Sequence, residues 1–193
     1  MTSSKIKTPQ SGGTQFPVLG IVENKINEDN FGQVSEVVLE AVKMITASLF
    51  GFSNENKEKP SRVVLEEAPQ DSLSLGGYYP TLGTVMVYRR NGRGDLDIVG
   101  TLAHELTHSL EDGEALKEEY VAPSSDLSDF SYFDSPVERR ARQVEKIIAS
   151  FLREGCVKWV YLGMDRPSSS PRRKVNTALR ELAEKIQKII QED

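Results

Sequence analysis

Between Gly32 and Phe50 the apolar residues Val34, Val37, Val38, Ala41, Met44, Ile45 and Leu49 recur every three or four positions, and Gly51 follows. That spacing predicts a helix with one buried face and a glycine stop. After the polar stretch SNENKEKP, the β-branched run Val63 to Leu65 predicts a short strand, and TVMVY at 84–88 predicts a second after the turn-rich GGYYPTLG. NGRGD then breaks the chain ahead of a helix from about Asp95 to Asp112, with Gly113 placed to end it. Another helix opens at Ser135 and Pro136, a serine cap followed by proline at the first position, and runs to Leu152 before Gly155. CVKWVYLG reads as a final strand or an apolar packing segment, and MDRPSSSPRR as a linker. Lys174 to Gln191 is amphipathic through Val175, Leu179, Leu182, Ile186, Ile189 and Ile190.

These elements predict an α+β fold in which a small mixed sheet packs on helices. The organisation is a loosely ordered segment 1–30 rich in Ser, Gly, Thr, Asn and Pro, one domain over 31–162, and a linker with a terminal helix over 163–193. A chain of 193 residues suits a single core. No stretch approaches the roughly 20 apolar residues of a membrane span. MTSSKIKTPQSGGTQ lacks the apolar centre of a secretory signal, so a cytoplasmic protein is expected. The single cysteine, Cys156, allows neither an internal disulfide nor a cysteine-rich zinc site, and is expected to pack as a small apolar residue.

Charge is unevenly spread. Residues 1–134 carry 11 Lys+Arg against 21 Asp+Glu, and residues 135–193 carry 13 against 8. The basic part lies along amphipathic helices without interleaved aromatics, which reads as a solvated face, so no nucleic-acid partner is expected. Residues 111–134 hold eight acids and one lysine, with a short helix conceivable at Glu114 to Tyr120.

The only two histidines of the chain, His104 and His108, stand four apart in HELTH, with Glu105 after the first. On the helix from Asp95, Leu96, Val99, Leu102, Leu106 and Leu110 form the core stripe, and the histidines fall almost opposite it, one turn apart. At that spacing two neutral imidazoles reach one Zn²⁺ ion. Glu105, turned off the histidine axis, reaches a water held there and suits a general base. With no third histidine, a further ligand must be a carboxylate, Cys156 or a tyrosine. Asp112, one turn beyond His108, suits the orientation of that ring better than direct ligation. Asp134 and Glu145 are further carboxylate candidates.

HELTH resembles the HExxH helix of the zincin metallopeptidases, with His104 and His108 in the place of their zinc ligands and Glu105 in that of the glutamate that activates water. TVMVY resembles the edge strand along which zincins lay an extended substrate. The segment Glu138 to Ala141 is similar to the ExxA segment of the gluzincins. The resemblance therefore implies Glu138 as third ligand, with the small Ala141 letting two helices approach. Ser135 and Glu138 also fit a capping box, in which the glutamate would turn back to the helix start. Among small intracellular zincins, those of the ImmA/IrrE kind are the nearest subgroup, over residues 84–150.

The resemblance implies a zinc-dependent peptidase acting on a peptide or protein substrate. An oxyanion would be stabilised by a tyrosine, with Tyr132 first and Tyr120, Tyr78 and Tyr79 as alternatives. Two other readings stand beside it: a non-catalytic binding or assembly module stabilised by metal, and a zinc hydrolase of non-peptide amides, as HExxH-bearing deformylases are.

Overall fold

The computed structural model describes residues 24–53, 60–70, 73–111, 135–159 and 164–192. Helix α1 (Glu28–Phe50) begins four residues earlier than the apolar pattern predicts, because Asn27 caps it. The Asn27 side chain accepts from the backbone N–H of Asp29 at 2.9 Å and of Asn30 at 3.2 Å, and Asn30 accepts from the Asn27 N–H at 3.0 Å. The three amides so satisfied offset the missing apolar periodicity. Ile26 just upstream is fully buried, so the ordered core reaches back into the segment expected to be loose. Gly51 ends α1 in the left-handed region at φ 72°.

Among the described residues the sheet has three strands, β1 (Arg62–Glu67), β2 (Gly76–Tyr79) and β3 (Thr84–Arg89), in the order β1-β3-β2. β1 runs parallel to β3, and β2 antiparallel to it through the turn at Pro80–Gly83. β2 escapes prediction because GGYY has neither alternation nor a β-branched run. Its presence moves TVMVY from the edge, where it was expected, to the centre. Val85 and Val87 point to the core and are fully buried, as is most of Leu65 on β1.

Helices α2 (Asp95–Leu110), α3 (Pro136–Glu154) and α4 (Ser169–Glu192) complete an α+β fold. α4 packs chiefly along α1, and α3 along α2. α2 is the central element: 13 of its 16 residues are buried. The face opposite the leucine stripe is thus covered by α3 instead of facing water. The fully buried Asp95 at its start accepts from the N–H groups of Lys25 (3.0 Å) and Ile26 (3.1 Å), and the Arg89 guanidinium donates to the Ile26 carbonyl. α2 ends at Leu110 with Glu111 as its C-cap, two residues short of the expected Gly113.

α4 starts at Ser169, so part of the expected linker is helical; Pro171 is tolerated because a first-turn N–H has no helical partner. Val175, Leu179, Leu182 and Ile186 join the same core as α1 and α2. Of CVKWVYLG, residues 156–159 form no strand. Trp159 enters the core, whereas Cys156 is exposed and not packed as expected, since the turn after Gly155 directs it outward. Among the described residues no helix is long and apolar enough to cross a membrane. The conceivable helix at 114–120 lies outside the described residues.

Candidate metal centre

α2 and α3 run antiparallel, which brings the start of α3 beside the second histidine and its next turns beside the first. Glu138 lies in the first turn of α3 with 3% of its side chain exposed. Its Oε2 stands 3.4 Å from His104 Nε2 and its Oε1 3.3 Å from His108 Nε2. The two Nε2 atoms are 3.1 Å apart. Three ligands bound at about 2.0–2.1 Å to a tetrahedral ion stand about 3.3 Å from one another. The two histidine separations run to different oxygens of Glu138, and with one ligand atom from each residue the three donors lie within 4.8 Å of one another, so His104, His108 and Glu138 could hold a metal ion.

The outer nitrogens of the rings are also engaged. His104 Nδ1 faces Glu145 Oε2 at 3.1 Å, and His108 Nδ1 faces Glu111 Oε2 at 3.4 Å. A carboxylate accepts only, so in the neutral rings each Nδ1 carries the proton and donates it, leaving both Nε2 lone pairs aimed at the Glu138 side. Glu111 is held in turn by the Arg140 Nε at 2.7 Å, and Arg142 donates to Glu138 Oε2 at 3.4 Å.

The capping question resolves into both halves. Ser135 Oγ accepts from the Glu138 N–H at 3.3 Å, so the serine caps the helix, while the Glu138 carboxylate turns to the histidines and not back to the cap. Glu145, weighed as a ligand, lies on the far side of the His104 ring and orients it. Two turns along α3 from Glu138, it shares that face but meets the first histidine.

The proton affinities follow from this crowding. Burial opposes charging His104, but the Glu138 and Glu145 carboxylates outweigh it and raise its pKa to about 10. His108 is raised too: burial opposes, and Glu111 and Glu138 prevail. Glu105, 9% exposed, is raised chiefly by burial, with both histidines pulling the other way. It faces the edge strand. A Cβ on Gly76 would lie 3.2 Å from the Glu105 Cγ and 2.8 Å from the Thr101 Cγ2, so only glycine lets β2 pass this close to α2.

The Tyr88 N–H donates to the Leu75 carbonyl at 2.9 Å, which sets the alternation of the β2–β3 ladder. Gly77 and Tyr79 then bond to β3, while the backbone groups of Gly76 and Tyr78 point away from it. A backbone hydrogen bond from Tyr78 to the Glu105 carboxylate fits that direction.

Compared with protein families, curated proteins and solved structures, the chain matches none.

The sequence reading missed Glu111, Arg140, Arg142 and Gly76. Glu111 had a local signal, since it follows His108 by three residues, one helical neighbour short of the Asp112 favoured for that role. The arginines had none, because only the approach of α3 brings them in. Tyr132, Tyr120, Asp112 and Asp134 lie outside the described residues. The Tyr79 ring lies over Gly77, 3.3 Å from where its Cβ would be. Tyr78 is half-buried against the core, and its phenol is raised by that burial.

Proposed function

We propose that this chain is a zinc-dependent metallopeptidase with a minimal zincin-like fold, in which His104, His108 and Glu138 hold the ion and Glu105 is the general base. The observation that carries the reading is the convergence of two Nε2 atoms on one buried carboxylate while each Nδ1 is tied to a carboxylate of its own. Three of the carboxylates about its only two imidazoles, Glu105, Glu111 and Glu138, are buried, and a buried charge costs stability unless paired. A divalent ion there supplies a Lewis acid that acidifies water and polarises a carbonyl.

The chain's own groups do the rest. Glu145 and Glu111 fix the ring tautomers. Glu105, its proton affinity raised by burial, takes a proton from water and passes it to the leaving amine nitrogen. An extended peptide or protein segment lies along β2, where the Gly76 N–H and the Tyr78 carbonyl face away from β3 beside Glu105. Cytoplasmic action belongs to the same proposal and rests on the single cysteine.

One observation favours a second reading, a metal-stabilised binding or assembly module. The side chains of His104, His108 and Glu138 are only 15%, 10% and 3% exposed, as in closed structural sites. Glu105→Gln separates the two. Metal content by elemental mass spectrometry and turnover of a peptide library are measured on wild type and variant. The peptidase reading expects equal metal and lost turnover; a metal-loaded wild type that cleaves nothing in the library supports the module.

A further inference from the structure

Where α3 gives way to α4 the chain concentrates cations. Residues 153–180 hold seven Lys+Arg against two Asp+Glu, in a protein whose net charge is −5. The fold gathers four of these, Lys158, Arg166, Arg172 and Arg180, around a cavity of about 580 Å³ that also touches Trp159 and Asn176. Among the described residues its lining contains no Asp or Glu. Arg172, Asn176 and Arg180 follow one another at four-residue spacing, so they line one side of α4 turn upon turn. The neighbouring stripe, Val175, Leu179 and Leu182, is buried in the core, so the helix cannot roll these donors away from the cavity.

Lys158, Arg166 and Arg180 are exposed at this cavity and Arg172 is half-buried. Lys158 pairs with Glu154, but Arg166 and Arg172 have no ion-pair partner among the described residues. Like charges crowded at one place repel, and Arg172 to Lys174 occupy the positive end of α4 with no acid in its first turn to offset them. The cavity size falls in the range of small-molecule sites, about 300–1,000 Å³. Guanidinium forks match phosphoryl oxygens two at a time, which a lone ammonium does not.

We propose that the cavity between the end of α3 and the start of α4 binds a small phosphorylated molecule, its phosphoryl oxygens held by Arg166, Arg172 and Arg180. The site stands apart from the metal centre and does not rest on the peptidase reading. Trp159, the only tryptophan, lies in the cavity wall and reports on occupancy.

The test titrates the full-length chain with inorganic pyrophosphate and, separately, with a nucleoside diphosphate. Tryptophan fluorescence and calorimetry are the readouts, with metal content measured before and after so that stripped metal is not counted as binding. Saturable binding of either probe is expected, weakened at least about tenfold in Arg172→Glu and in Arg166→Glu, the loss of one charge-assisted contact. Binding of pyrophosphate alone assigns the recognition to the phosphoryl group; tighter binding of the nucleotide adds its base. Because Arg172→Glu also relieves crowding at a helix start, its ligand-free melting temperature should not fall, which separates lost binding from lost folding. No binding of either probe, binding unchanged in both variants, or binding only of a long oligonucleotide overturns the proposal.

Discussion

His104 and His108 are ordinary imidazoles until the carboxylates around them are counted. With Glu138 between their inner nitrogens and Glu145 and Glu111 on their outer ones, each ring has one orientation and one tautomer for metal binding. Glu138→Gln should therefore remove most bound metal, because it deletes a ligand charge, while Glu145→Gln and Glu111→Gln should weaken affinity by about 10–100-fold through the rings alone. Competition against a fluorescent zinc chelator distinguishes the two classes, and equal effects of all three would contradict the assignment. In the metal-free protein, His104, His108 and Glu105 all have raised pKa values, that of His104 to about 10. The folded state then holds more protons than the unfolded one, so the Glu105 contribution to stability is lost as pH rises above 4.5, and that of the histidines, full below pH 6.5, as pH rises toward 10. A bound metal would replace those protons, so thermal melts over this range should fall with pH in chelator and flatten when metal is added. Glu105→Gln leaves the ligands untouched; its turnover should drop by roughly 10²–10⁴-fold with metal retained, as metal content beside peptide cleavage will show.

At the scale of elements, β2 and α2 depend on one missing side chain. A Cβ at Gly76 would sit 2.7 Å from the Met86 carbonyl oxygen and 2.8 Å from Thr101 Cγ2. Backbone cannot yield as a flexible side chain does. Gly76→Ala should cost about 1–3 kcal/mol in urea unfolding and push the edge strand away from Glu105. A variant as stable as wild type would mean β2 does not approach α2 so closely. The helix start is the complementary case: Asn27 begins α1 through three backbone hydrogen bonds, a signal present in NEDN although apolar periodicity does not reach it. GGYY offered no such signal, since a two-glycine edge strand is made by its partner. For the metal centre, the pair on one helix was visible from spacing alone. The place of Glu138 came from resemblance, against a capping box that the local sequence by itself favours, and the approach of α3 to α2 turns the carboxylate to the histidines.

For the whole molecule, α4 is the decisive element. Val175, Leu179, Leu182 and Ile186 are buried against the core that α1 shares with α2, the helix of His104 and His108. Each such side chain contributes about 1.5–3 kcal/mol, and their loss together approaches the full stability of a domain, about 5–15 kcal/mol. Truncation after residue 163 should therefore abolish cooperative melting by circular dichroism and metal retention with it. A truncated chain that melts cooperatively and keeps its metal would make α4 an appendage.

Local pattern determined the four long helices, two of the three strands, the HELTH pair and the absence of a cysteine site, because periodicity, caps and spacing are properties of neighbours in the chain. The tertiary structure decided which strand is the edge, that the histidine face of α2 is covered, that Glu111 and Glu145 orient the rings, and that four cations surround one cavity. Those outcomes depend on which helix lies against which. That packing is set by the summed burial of many side chains far apart in sequence, of which no single segment carries a sign.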